Sequence, residues 1–265
     1  MSVSSELATV AAERRGGLGR EVVVILGLSL GASAVYAVLR IVDRLTVHVA
    51  LSQQSSSLNN SVTPDRPWLD LAYQLAAILL ALVPVAAALY VLRNVLPPAP
   101  FSPRRFLGLD GKQPGFDVGA GLLLAAVIGI PGLALYVAAR ALGINTQVAA
   151  ANLTAAWWTL PVLVLSAVQN ALLEEVIAVG YLFTRLQQIG WRAPWVVVTS
   201  AVLRGSYHLY QGFGGFLGNL VMGLVFGLVY LRWRRVGPLV VAHTVLDIVA
   251  FVGYTLAKDH LSWLH

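Results

Sequence analysis

Six ionisable side chains fall inside otherwise apolar segments of this chain: Glu174, Glu175, Arg204, His208, His243 and Asp247. A charge placed where lipid should be is expensive, so each such residue is a functional candidate. All six lie between residues 174 and 247, whereas random placement would scatter them along the chain. His243 and Asp247 are spaced i, i+4 and share one helix face, as do Arg204 and His208. Ser166, Asn170 and Glu174 form an i, i+4, i+8 polar stripe that could face a hydrated cavity. A carboxylate and a histidine in a membrane pocket can activate water for hydrolysis, while a second histidine donates to an oxyanion. The same residue types also suit a metal centre or the proton relay of a transporter.

The elements that must position these residues are transmembrane helices. Of 265 residues, 58% are hydrophobic and 11% charged, against roughly 25% charged in soluble domains. Mean hydropathy is +0.76. This excludes a disordered chain, a coiled coil and an ordinary soluble enzyme. Cysteine is absent, which excludes disulfides, Cys-zinc sites and thiol nucleophiles. The fold class expected is all-α, a polytopic bundle of about seven spans near 21–42, 70–92, 117–139, 160–184, 194–209, 217–231 and 238–257. The fifth and sixth are short and flank the Gly-rich Gln211–Phe216, where a break or re-entrant turn is expected. The first apolar run exceeds a signal-peptide core and reads as an anchor.

Charge sets the orientation. With the N-terminus inside, twelve of the 18 basic residues fall on the cytoplasmic side and five outside, with Arg204 inside a span. This positive-inside pattern predicts N-in, C-out and accounts for the net charge of +6 without nucleic acid. The expected organisation is a cytoplasmic tail (1–20), N-terminal transmembrane helices (21–154), a membrane core (155–257) and a C-terminal tail (258–265) with His260 and His265. The polar loop 43–69 is expected to be external and flexible, and the Pro-rich loop 94–116 cytoplasmic. Tyr207, Tyr210, Trp191 and Trp195 read as interface or packing aromatics. At about 1.5 Å per residue from the cytoplasmic ends, Glu174 lies ~15 Å deep, His243 ~8 Å and His208 ~20 Å. That arithmetic predicts a cavity opening to the cytoplasm.

Common catalytic motifs are missing. There is no H-E-x-x-H, P-loop or dinucleotide fingerprint. Gly27-Leu-Ser-Leu-Gly31 has the spacing of a nucleophile elbow but sits in an apolar helix. It and Gly223–Gly227 read as G-x-x-x-G packing motifs.

The order of the polar motifs does match a pattern. Glu174-Glu175, then His208 in Arg204–Gly212, then His243-Thr-Val-Leu-Asp247 resembles the CPBP intramembrane endopeptidases. That family includes CAAX prenyl proteases and bacteriocin-processing or self-immunity (Abi-type) proteins. Its pattern is E-E-x-x-x-R, F-x-x-x-H and H-x-x-x-N on successive membrane helices, and the matching region is roughly 155–257. The resemblance implies a metal-independent glutamate protease with no cofactor. Glu174 and His208 would activate water, His243 and Asp247 would serve the oxyanion, and Glu175 would support them. Three positions depart from the pattern: Val179 replaces the arginine, Arg204 the phenylalanine, and Asp247 the asparagine. The first two departures predict that Arg204 supplies the buried cation that position 179 lacks. An ionised Asp247 would repel an oxyanion, so it must be protonated, orient His243, or mark a changed chemistry. The function expected is cleavage of a membrane-associated protein or peptide in a bacterial plasma (inner) membrane. The partners are that substrate and the lipid bilayer, and the oligomeric state is left open. The alternatives are a non-proteolytic relay or scaffold and a metal-dependent hydrolase.

Overall fold

The structure, a computed structural model, describes residues 3–95 and 102–257, with the side chains of 15–93 and 102–256. The expected tail 258–265 and Pro97, Pro98 and Pro100 lie outside the described residues. The chain is a helical membrane bundle. Its helices are α1 (Val3–Gly27), α2 (Leu30–Thr46), α3 (Pro67–Ala81), α4 (Val83–Val95), α5 (Pro103–Phe106), α6 (Pro114–Ala141), α7 (Thr159–Glu174), α8 (Leu182–Ile189), α9 (Ala193–Tyr207), α10 (Phe213–Trp233) and α11 (Gly237–Ala257). The only strands among the described residues are β1 (Ser55–Ser57) and β2 (Gln147–Ala149). Helix starts follow local chemistry. Pro67 and Pro114 open α3 and α6, each with an aspartate in the first turn, where a fixed φ and a negative charge suit the N-terminus.

Two ends of the bundle are defined by hydrogen bonds. At the strand end, β1 and β2 pair in parallel. Ser56 Oγ lies 2.8 Å from Thr146 Oγ1 and donates to the Tyr210 carbonyl. The Thr146 amide donates to the Gln211 carbonyl at 2.8 Å. At the arginine end, Arg185 Nε donates to Glu21 Oε1 at 2.7 Å, and Arg185 Nη2 to the Val91 carbonyl at 2.8 Å. There Arg235 also clasps Asp117 through two bonds of 2.9 and 2.8 Å, and the Val236 amide donates to the Leu107 carbonyl. Between these ends the described chain makes seven passes: α1 with α2, α3 with α4, α6, α7 with α8, α9, α10 and α11. Five helices are long and apolar enough to cross a membrane, and the bent pair Arg15–Gly27 and Leu30–Thr46 makes a sixth. The 15-residue α9 is shorter than the roughly 20 residues a span requires.

Three local expectations change. The first span is broken, with a 55° bend between α1 and α2. Gly27 has no packing neighbour within 4 Å, so the Gly27–Gly31 motif marks a break and not a helix contact. The 43–69 loop is pinned down by the β1–β2 ladder, by Arg44 to Ser55 and by Asp70 accepting from the Val62 and Thr63 amides. Its serines and asparagines satisfy backbone groups that a loose loop would leave to water. Finally, Asp70, Asp117 and Arg185 are also buried, so the buried charges exceed the six first singled out. Asp70 and Asp117 sit at helix starts and Arg185 on α8, each with bonded partners at one end of the bundle.

Two glycines decide how the α9–α10 hairpin closes. Gly212 has φ +115°, and a Cβ there would lie 2.7 Å from the Asn145 Cα and the Ile144 carbonyl oxygen. Only glycine accepts that conformation cheaply. The Gly-rich stretch is thus a tight turn that starts α10 at Phe213. Gly223 packs on α9, where a Cβ would lie 2.7 Å from the Ala201 Cα. That close approach is what G-x-x-x-G motifs provide in membranes. Gly223→Val is expected to overpack this contact and cost about 1–3 kcal/mol, read as a lower Tm of the protein in detergent.

Candidate active site

Residue 175 opens a π-helical segment, Glu175–Tyr181, between α7 and α8. Such segments are rare and cluster at functional sites. Its loosened carbonyls find partners: Ser200 Oγ donates to the Ala178 carbonyl and Thr184 Oγ1 to that of Gly180, both at 2.7 Å. Val179, at the position of the family's arginine, lies inside this segment and is fully buried among apolar side chains.

The six residues singled out by sequence meet here. Arg204 reaches from α9 to put Nη2 2.6 Å from Glu175 Oε1 and Nη1 3.6 Å from Glu174 Oε2. Both Arg204 and Glu175 side chains have no exposed surface. The guanidinium also lies over the Phe226 ring, 5.3 Å from its centroid. His243 Nδ1 lies 2.7 Å from the same Glu175 oxygen. Its Nε2 lies 3.7 Å from Asp247 Oδ1 and 4.0 Å from Glu174 Oε2. His208, at the end of α9, points Nε2 at Glu174 Oε1 across 3.8 Å. Both ring nitrogens of His208 are buried without a hydrogen-bond partner among the described residues.

Two participants were not assigned to the site by sequence reasoning. Tyr207 donates to Glu174 Oε2 at 2.7 Å and is buried, so it is no interface aromatic. Its position directly before His208, at a helix end where neighbouring side chains can converge, was the available signal. Asn170 was visible only as a member of the α7 stripe. Its Nδ2 donates to Asp247 Oδ2 at 3.1 Å. Trp191 and Trp195, by contrast, are exposed, as interface aromatics are.

The two glutamates are therefore not equivalent. Glu175 is enclosed and its Oε1 is shared between a guanidinium and an imidazole. Glu174 has one oxygen, Oε2, tied to Tyr207 and near Arg204, and the other facing His208. The 3.8 Å gap is a distance over which a water can bridge two polar groups. Glu174, Glu175 and His243 can also bring one donor atom each to within 4.8 Å of the others, close enough to hold a metal ion. Two carboxylates and an imidazole suit zinc chemically. In this geometry, however, the Arg204 guanidinium already contacts both carboxylates.

Against protein-family models, residues 156–249 match Type II CAAX prenyl endopeptidase Rce1-like. This stretch carries α7 to most of α11 and all six residues, and it agrees with the CPBP/CAAX-protease resemblance drawn from motif order. No curated protein matches the chain, and no solved structure does.

Arg204 is the only cation in contact with the fully enclosed Glu175 among the described residues, apart from a charged His243. Arg204→Ala is expected to cost about 3–5 kcal/mol, because an unpaired buried charge remains. The readout is Tm in detergent. Adding Glu175→Gln to Arg204→Ala should recover part of that loss.

Proposed function

We propose that this protein is an intramembrane endopeptidase that hydrolyses a peptide bond of a membrane-associated protein through a water activated by Glu174 and His208. The observation that carries this reading is the asymmetry of Glu174, whose Oε2 is anchored by Tyr207 while Oε1 faces the otherwise unpartnered His208. A base needs one oxygen held and one free. Tyr207 and Arg204 supply the hold, and the 3.8 Å gap supplies room for the nucleophile.

The steps follow from the positions of the groups. Glu174 Oε1, with His208, takes a proton from water, and the hydroxide oxygen bonds to the scissile carbonyl carbon. Negative charge moves onto the carbonyl oxygen. As an imidazolium, His243 donates its Nδ1–H to Glu175 Oε1 and turns its Nε2–H toward that carbonyl oxygen. The proton held by Glu174 or His208 then passes to the amide nitrogen, the C–N bond breaks, and the new carboxylic acid gives its proton to the amine as the carboxylate and ammonium products separate.

Asp247 fits the orienting role better than direct contact with the oxyanion. It lies 3.7 Å from His243 Nε2 and accepts from Asn170. The amide that the family's asparagine would supply then comes from Asn170 on α7. The cation role expected of the family's arginine goes to Arg204, in keeping with the paired departures at positions 179 and 204. The reading is metal-independent because Arg204, held against both carboxylates, already balances the charge a metal would balance. The trio Glu174, Glu175 and His243 favours a second reading, a metal-assisted hydrolase.

A purified-protein assay on a fluorescence-quenched peptide library in detergent micelles separates these readings. Cleavage is expected to persist in chelator and to fall about 10²–10⁴-fold in Glu174→Gln and in His208→Ala. Loss of activity in chelator with rescue by zinc would favour the metal reading. Asn170→Ala is expected to lower kcat by about 10²-fold or more if its amide serves the oxyanion, whereas Asp247→Asn should retain turnover.

A further inference from the structure

At the arginine end a cavity of about 480 Å³ lies between α5, α8 and α10. Thr184, Gln187 and Gln188 line it from α8, Tyr230 and Arg234 from α10 and the residue that follows it, and Phe106 from α5. None of these residues belongs to the catalytic cluster. The cavity sits within about two turns of Ile189 and Trp233, where α8 and α10 end. Trp191 and Trp195 follow the end of α8 and are exposed, as aromatics at the level of lipid headgroups are.

The lining is rich in donors and holds no carboxylate. Gln188 commits its side-chain oxygen to Arg185 Nη1 at 2.9 Å, which leaves its amide N–H groups to donate. The Gln187 amide has no hydrogen bond among the described residues, and the Arg234 guanidinium has neither hydrogen bond nor ion pair among them. Three carboxylates at this end are engaged elsewhere, Glu21 by Arg185 and both Asp110 and Asp117 by Arg235. Arg234 also stands where a different residue type is usual. It takes the left-handed position that ends α10, with φ +55° and its amide bonded to the Tyr230 carbonyl at 2.7 Å. Glycine or asparagine normally fills that place, and a larger residue there is strained. The strained cap puts a cation on the cavity wall.

We propose that this cavity binds the phosphate of an anionic membrane-lipid headgroup, with Arg234 as its counter-ion and the Gln187 and Gln188 amides as donors to its oxygens. A guanidinium fork matches two phosphate oxygens at once, and the amides add bonds without adding charge. At the depth of the helix ends, lipid phosphates are the anions that surround the protein. The exposed Phe106 offers an apolar wall for the glycerol and the first acyl carbons. A headgroup held here touches α5, α8 and α10 together. The site takes no part in the hydrolysis proposed above and stands apart from whether the chain cleaves peptides.

Arg234→Gly tests this without endangering the fold, because glycine adopts the left-handed conformation at no steric cost. The purified protein in a neutral detergent is titrated with dioctanoyl-phosphatidylglycerol, and bound lipid is read by native mass spectrometry. The wild type is expected to bind this lipid in preference to dioctanoylglycerol, which lacks the phosphate. Arg234→Gly is expected to bind it about tenfold more weakly or worse, and Gln187→Ala, which breaks no bond of the fold, severalfold more weakly. Arg232→Gln removes an exposed arginine of the same helix outside the cavity and should bind as the wild type does. Equal binding by the wild type and Arg234→Gly, an equal loss in Arg232→Gln, or equal binding of dioctanoylglycerol overturns the proposal. Displacement of the lipid by equimolar inorganic phosphate also overturns it, since the cavity would then be a site for a soluble anion.

Discussion

Two adjacent glutamates in the middle of a membrane bundle cannot both be charged without a cation close by. Bringing even one carboxylate out of water costs several kcal/mol, and a like charge beside it adds to that. The buried contact of Arg204 with Glu175, at 2.6 Å, meets this constraint, and the rest of the site depends on it. With Glu175 neutralised, His243 can bind its second lone pair of Oε1. With the guanidinium 3.6 Å from Glu174, that carboxylate is held near a positive charge while its other oxygen faces His208. The Gly223 contact of α10 serves the same end. It brings α9 close enough that Arg204, 19 residues before Gly223 in sequence, lies under Phe226 and against the glutamates.

Much of this was legible before any coordinates. Lipid makes charge scarce, and scarcity makes the remaining charges informative. Spacing alone put His243 with Asp247 and Arg204 with His208 on shared helix faces, and the motif order pointed to the CAAX-protease pattern that residues 156–249 also match. The exchange of Val179 for Arg204 was readable as a compensated pair, since one cation is lost and one gained among neighbouring helices. Both positions are buried beside the glutamates' segment.

What was not legible depends on partners far away in sequence. Tyr207 looks like any membrane-interface tyrosine until α9 ends beside Glu174. The π segment has no sequence signal except that Ser200 and Thr184 can satisfy its loosened carbonyls. The order in the 43–69 loop comes from residues about ninety positions later, through Ser56 with Thr146 and Ser61 with Thr154. Helix length gives depth, but the contact between Leu107 and Val236, two loop residues, is announced by no periodicity.

The central claim is that Glu174 makes this cluster a hydrolytic centre for membrane-anchored proteins. The most direct measurement compares newly formed protein N-termini in membranes containing the wild-type chain with those containing Glu174→Ala at equal abundance. The account predicts N-termini present only with the wild type, in membrane-anchored proteins. Identical N-termini in the two membranes would contradict it.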